Sequence, residues 1–204
     1  MSRRSLVLVA ALAAALLLVG SALAAQVTIR VEGKTQTIFG SRPVQIDAGN
    51  ALQALDVAST LGEFYYGLTH ASFGDYVNQI GKYAGTGSAG WVFKVNGVSP
   101  PVGADQVQLK DGDALLWYYA DFGPNGGPPT LELTPVANSP KNCYLTVARD
   151  DSGTPVPVSG IVLHVDGRRV KTKPVSTDAI GCVGRHTGLV RAYSFGTVRS
   201  NSAK

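Results

Sequence analysis

Two runs concentrate the residues most able to bind something. Trp91, Phe93 and Val95 alternate along residues 90–97, and Leu115, Trp117 and Tyr119 alternate along residues 114–120. With a side-chain period of two, each triplet shares one face of a strand. Rings placed this way stack across a sheet, or they offer an aromatic surface to a flat amphipathic ligand. His70 is the one histidine in the same aromatic-rich stretch and the one placed to approach such a ligand. Trp91, Phe93, Trp117, Tyr119 and His70 therefore form the candidate ligand-binding set.

Bond-breaking chemistry has no comparable signature. The chain contains no G-x-S-x-G, H-E-x-x-H or P-loop pattern. Gly85-Thr86-Gly87-Ser88-Ala89-Gly90 satisfies G-x-G-x-x-G, but an aromatic and β-branched run follows it. A dinucleotide site needs a helix there, because the helix N-terminus holds the pyrophosphate. Asp111-Gly112-Asp113 lacks the longer acidic series and terminal Glu of a calcium loop. The pair Asp150-Asp151 sits among turn residues and reads as solvated. The expectation is a protein that is not an enzyme, with no cofactor and no metal.

The first 25 residues read as an export signal. Arg3 and Arg4 precede a charge-free apolar run from Leu6 to Val19, and Ala22-Leu23-Ala24 is a small-x-small cleavage signal, with Ala25 giving a second register. The apolar run is short for a membrane span, and no cysteine follows it to accept a lipid. Ser2-Arg3-Arg4 also hints at the twin-arginine route. The mature chain is thus expected to be secreted or held loosely at the cell surface, with no transmembrane segment. Export gives the two cysteines their meaning. Outside the cytosol thiols pair, so Cys143 and Cys182 are expected to form one disulfide. Closing a loop of that length is worth roughly 4 kcal/mol in the chain-entropy account.

The elements that position these residues fall into two halves, separated by the Gly/Pro-rich residues 123–129. Residues 26–127 carry a net charge of −3 and thirteen of the sixteen aromatics, and residues 128–204 carry +5. The overall charge of +4 is too modest to mark a nucleic-acid-binding protein. In the first half, residues 27–33 and 34–39 alternate as a β-hairpin. Leu52, Leu55, Ala58 and Leu61 then follow helical spacing between Asn50, a capping residue, and Gly62. Strands are expected at 64–66, 91–96 and 114–120. Residues 76–80 fit either type by pattern. Asn96-Gly97 is a hairpin-turn signal, since both residues tolerate positive φ. This is an α+β arrangement. The second half shows β-rich runs at 131–136, 144–149, 161–165 and 189–198 with no amphipathic helix, the pattern of a small β-sandwich. Arg168, Arg169, Lys171 and Lys173 form a basic cluster of the kind that protects a strand edge or touches an anionic surface polymer.

Gly90-Trp91-Val92-Phe93-Lys94-Val95-Asn96-Gly97, with Asp111-Gly112-Asp113 before the Leu115–Tyr119 strand, resembles the C-terminal β domain of transcobalamin and intrinsic factor. The upstream Ala51-Leu52-Gln53-Ala54-Leu55 helix and residues 73–81 belong to the same resemblance, and the latter tips residues 76–80 toward a strand. It implies a β-grasp-like domain over residues 26–122. Residues 158–167, Thr177-Asp178-Ala179-Ile180-Gly181 and residues 190–200 resemble bacterial Ig-like or carboxypeptidase-regulatory-like domains. That implies an Ig-like sandwich over residues 130–204, of a kind that serves as spacer or contact module. The whole reads as an exported, non-catalytic binding protein for a small amphipathic ligand or for a surface polymer or protein. The alternative, implied by the first resemblance, is a corrinoid capture protein. Because a large flat ligand needs cover on both faces, the exposure of the aromatic set discriminates between these readings.

Overall fold

A computed structural model describes residues 24–71, 74–124 and 126–204. The expected leader lies outside the described residues, except for its last two positions. Phe73 of the first resemblance and Asn125 of the Gly/Pro stretch lie outside them too. The described chain is mostly β-sheet with a single short helix.

The first half opens with β1 (Ala25–Glu32), which turns into the short β2 (Thr37–Phe39). The hairpin expected from alternation is present but smaller, because residues 34–36 form its turn and Gly33 donates to the Gln36 carbonyl. β1 starts two residues earlier than expected. Ala25 pairs with Ala48 and is buried, so a leader ending at Ala24 leaves this strand whole. The segment after β2 contributes β3 (Gln45–Ala48), which the pattern did not reveal.

Helix α1 (Ala51–Leu61) forms where expected. The Asn50 side chain accepts from the Gln53 N–H at 2.8 Å, and Gly62 closes the helix by donating to Ala58. Its buried face is Ala51, Ala54, Leu55 and Ala58. Leu61, expected on that face, is exposed at the helix end. The small residues let α1 lie close over β1 and β3.

β4 (Tyr66–Ala71), β5 (Gly74–Ile80) and β6 (Tyr83–Ala84) form a three-stranded antiparallel sheet. The strand at 64–66 is therefore shifted forward to Tyr66, and the ambiguous 76–80 segment is a strand. β7 (Ala89–Val95) and β8 (Ala114–Asp121) complete the main sheet in the order β2-β1-β8-β7, with β8 parallel to β1 and β7 at one edge. Residues 85–90 are a turn and the start of β7, not a phosphate cradle: Thr86 and Ala89 exchange backbone bonds at 2.8 Å. Asn96 and Gly97 adopt positive φ at 51° and 84°, as the turn after β7 requires.

The second half comprises two four-stranded antiparallel sheets around a common core of Leu131, Leu133, Tyr144, Leu163, Val165 and Val190 with smaller neighbours. One sheet runs β13 (Lys173–Val175), β14 (Asp178–Cys182), β10 (Cys143–Arg149), β9 (Thr130–Pro135). The other runs β12 (Arg168–Lys171), β11 (Val162–Val165), β15 (Val190–Tyr193), β16 (Ser202–Ala203). The strand expected through 189–198 stops at Tyr193, where a turn at Phe195-Gly196 takes over. The basic cluster lies on β12 and β13, both sheet edges, as the edge-protection reading expects. Cys143 and Cys182 are register partners on β10 and β14 and form the disulfide.

The halves pack on one another. Tyr118, Ala120 and Val198 form a buried seam with Val92 and Leu116, on the face of the main sheet turned away from α1. Lys94 reaches across it and is wholly buried. At the far end, Glu32 sits among Arg30, Arg191 and Arg199.

Candidate functional site

The ladder between β7 and β8 decides where the aromatic set goes. Phe122 donates to the Ser88 carbonyl and Asn96 to the Ala114 carbonyl, each at 2.9 Å. With the register Trp91↔Tyr119 and Phe93↔Trp117, these bonds make Gly90, Val92, Lys94 and Asn96 the hydrogen-bonded positions. Trp91–Tyr119 and Phe93–Trp117 are then the non-bonded pairs, whose side chains approach most closely. Their rings do meet. Phe93 stacks on Trp117 with centroids 4.9 Å apart, and Trp91 meets Tyr119 edge-on at 5.7 Å.

The four rings share a face but not an environment. Trp91 and Trp117 are 6% and 2% exposed, so neither offers its ring face to a flat ligand. Trp91 Nε1 donates to the Tyr83 carbonyl at 2.8 Å, and the Tyr119 hydroxyl donates to the Ala84 carbonyl at 3.1 Å. These two rings hold β6 in place. Trp117 differs: its buried Nε1 donor has no partner. Buried donors are normally satisfied, and an unpaired one costs about 1–3 kcal/mol; this N–H is closed to solvent, so the cost falls inside the core.

Trp117, Phe93 and Trp91 line a cleft of about 420 Å³. Its opposite wall is the 100–104 segment, Pro-Pro-Val-Gly-Ala, and its end is Tyr76 and Val77 of β5. Val92, Tyr118 and Phe122 line it from the other side of β7. Tyr76, Val102 and Phe122 are large apolar side chains exposed at its mouth. The two charged residues in its lining are both carboxylates, Asp75 and Asp151. Asp151 accepts from the Tyr118 hydroxyl at 2.9 Å and lies 3.8 Å from Lys94 Nζ. Burial, then the adjacent Asp151 charge, pushes the Tyr118 phenol well above its ordinary range, so it stays a neutral donor. Beside the cleft, Asp105 carries a buried carboxylate oxygen that also lacks a partner.

Of the five candidate residues, the structure brings Trp91, Phe93 and Trp117 to one cleft. Tyr119 packs behind Trp91. His70 stands on β4 opposite Asp75, 83% exposed, and reaches the cleft only through its bond to the Asp75 carboxylate. Sequence reasoning missed Asp75, Asp151 and the 100–104 wall. The Pro-Pro pair was a legible sign of a rigid loop, whereas nothing local announced that Asp151 would arrive from the second half.

A second cavity, about 460 Å³, opens at the junction of the halves beside Arg30, Lys94 and Arg149. Its cations are already satisfied: Arg30 by Glu32, Arg149 by Glu132, and Lys94 by Thr130 and the Asp150 carbonyl. Among the described residues, no three His, Cys, Asp or Glu side chains gather to hold a metal ion. No described helix is long and apolar enough to cross a membrane.

Residues 48–121 match the family model of a domain of unknown function, DUF4430. The matched stretch runs from the end of β3 to the end of β8 and contains the cleft's aromatic set. No curated protein matches the chain. Among solved structures, a candidate metal-binding protein from Ruminococcus gnavus is similar to 48% of this chain over 99% of its own, at 15% identity and a TM-score of 0.40. A likeness that distant transfers nothing to the chemistry of this site.

Proposed function

We propose that this chain is an exported, non-catalytic binding protein that captures a ligand or partner in the cleft beside β7. The observation that carries the reading is the 420 Å³ cleft lined by Trp91, Phe93 and Trp117, with Tyr76, Val102 and Phe122 exposed at its mouth. A mostly apolar cavity with a few polar groups at its rim is the usual composition of a binding site, and a volume of this order fits a drug-sized ligand or a few residues of a peptide. The arrangement of strands and helix supports a β-grasp-like first half related to the transcobalamin C-terminal domain. The two sheets sharing one core support an Ig-like second half acting as a contact module.

A corrinoid is the less favoured occupant. The faces of Trp91 and Trp117 are buried, and a large flat ligand would leave most of its surface uncovered in this cleft. Amide-resolved NMR on residues 25–204 tests the proposal, with a library of small amphipathic compounds and cyanocobalamin as probes. The expected result is saturable shifts of the Trp117 indole N–H and of the Trp91 and Phe93 amides by a small compound, with the amide shifts weakened in Trp117→Phe. If no compound moves the indole or its neighbours at millimolar concentration, the cleft is not a binding site. N-terminal sequencing of the protein recovered from its producing cells tests export, with Ala25 expected as the first residue.

A further inference from the structure

Taking the cleft as the binding site, we infer that its occupant is an extended peptide segment of another protein, added as a strand to the open edge of β7. β7 is the last strand of its sheet. The phase of the β7–β8 ladder turns the N–H and C=O groups of Trp91 and Phe93 away from β8. Among the described residues no strand pairs with them on that side. An unpaired row of backbone donors and acceptors is a template for another strand, and native proteins usually cover or charge such an edge. Here β5 and the 100–104 segment stand beside the edge, and the cleft is the space left between them. Between Trp91 and Phe93 the residues of β7 are apolar, and the one lysine of the strand, Lys94, is buried on the inner face.

The shape of the cleft agrees. Its lining takes Trp91, Phe93 and Trp117 from one face of the sheet and Val92 and Tyr118 from the other. A site on a sheet face would draw on one parity only, so a site drawing on both wraps the strand edge. That is the geometry in which main-chain bonds supply affinity and alternate side chains enter pockets above and below. Exposed Tyr76, Val102 and Phe122 supply apolar contact at the mouth. Asp75 and Asp151 are the charged groups of the lining; each engages one oxygen, Asp75 with His70 and Asp151 with Tyr118 and Lys94, and a cation facing the other oxygen is favoured. The chemistry recognised is an extended, apolar segment flanked by lysine or arginine.

The test is a titration of ¹⁵N-labelled protein with acetylated, amidated hexapeptides that carry Lys at both ends and valine, isoleucine or threonine between. The expected result is a downfield shift and slowed hydrogen exchange at the Trp91 and Phe93 amides. Methylating the peptide nitrogens that face β7 is expected to weaken binding at least tenfold, and methylating the outward ones to change it little. Asp75→Asn with Asp151→Asn is expected to weaken the lysine-flanked peptides several-fold, and to change their alanine-flanked counterparts little. Equal binding by both methylated series, or no binding by any hexapeptide, overturns strand addition. If small amphipathic compounds still move the Trp117 indole in that case, the cleft remains a ligand site; if they do not, both readings fall.

Discussion

Lys94 Nζ has left water entirely, and oxygens of the second half take the place of its hydration. It donates to the Asp150 carbonyl at 2.6 Å, to Thr130 Oγ1 at 3.1 Å and to the Arg149 carbonyl at 3.3 Å. Burial pulls its pKa down, and the nearby Asp151 and Asp150 charges restore part of the loss. Lys94→Met would fill the same space while leaving those acceptors unpaired in the seam. Each orphaned buried group costs about 1–3 kcal/mol, so a loss of about 3 kcal/mol is expected in urea unfolding. Trp117 poses the opposite case at the same scale. Its donor is already unpaired, so Trp117→Phe removes a cost as well as some ring contact. Its stability is expected to stay within about 1.5 kcal/mol of the parent.

α1 works by being thin. Three of its four buried positions are alanine, which brings the helix axis close to the sheet and leaves little slack. Ala54→Leu inserts three carbons under that face and is expected to destabilise by about 1–3 kcal/mol, read as a lower thermal midpoint. Asn50→Ala removes the acceptor for the Gln53 N–H and is expected to cost about 1 kcal/mol. In the second half, the disulfide ties β10 to β14 beside the ladder that already pairs them. Reduction is expected to lower the thermal midpoint of that half, with an upper bound of about 4 kcal/mol for a separation of 39 residues.

Across the whole molecule, the two halves are locked by a buried carboxylate. Glu32 is 1% exposed and accepts from Arg30, Arg191 and Arg199 at 2.5–2.8 Å and from Thr37. Burial raises its pKa, but the three guanidinium charges outweigh that, so the folded value lies below the ordinary one. A carboxyl with a depressed folded pKa gives stability that is present above its unfolded pKa of about 4.3 and lost as pH falls through the folded value. The junction is therefore expected to hold at pH 4.5 and to weaken below the usual carboxylate range, seen as an acid-unfolding transition. Glu32→Gln is expected to cost about 3 kcal/mol at neutral pH and to flatten that acid limb, because three cations lose their counter-charge.

Much of the first half was legible from local pattern. Asn50 and Gly62 bracket α1, Asn96-Gly97 turns where β7 ends, and the alternation of Trp91 with Phe93 and of Trp117 with Tyr119 predicted rings that do meet across the ladder. Such features depend on residues a few positions apart, and periodicity reports those. It does not report what stands opposite. A lysine at position 94 of an alternating strand reads as solvent-facing, yet the 149–151 segment buries it. Glu32 reads as an exposed strand end, yet it meets Arg191 and Arg199 from 159 and 167 residues away. The same holds for the cleft. The sequence by itself determined that its aromatics share one face of a sheet. Only the tertiary structure decided that β7 is an edge, that a Pro-Pro wall stands across from it and that carboxylates flank it, because those follow from chain segments brought together by packing.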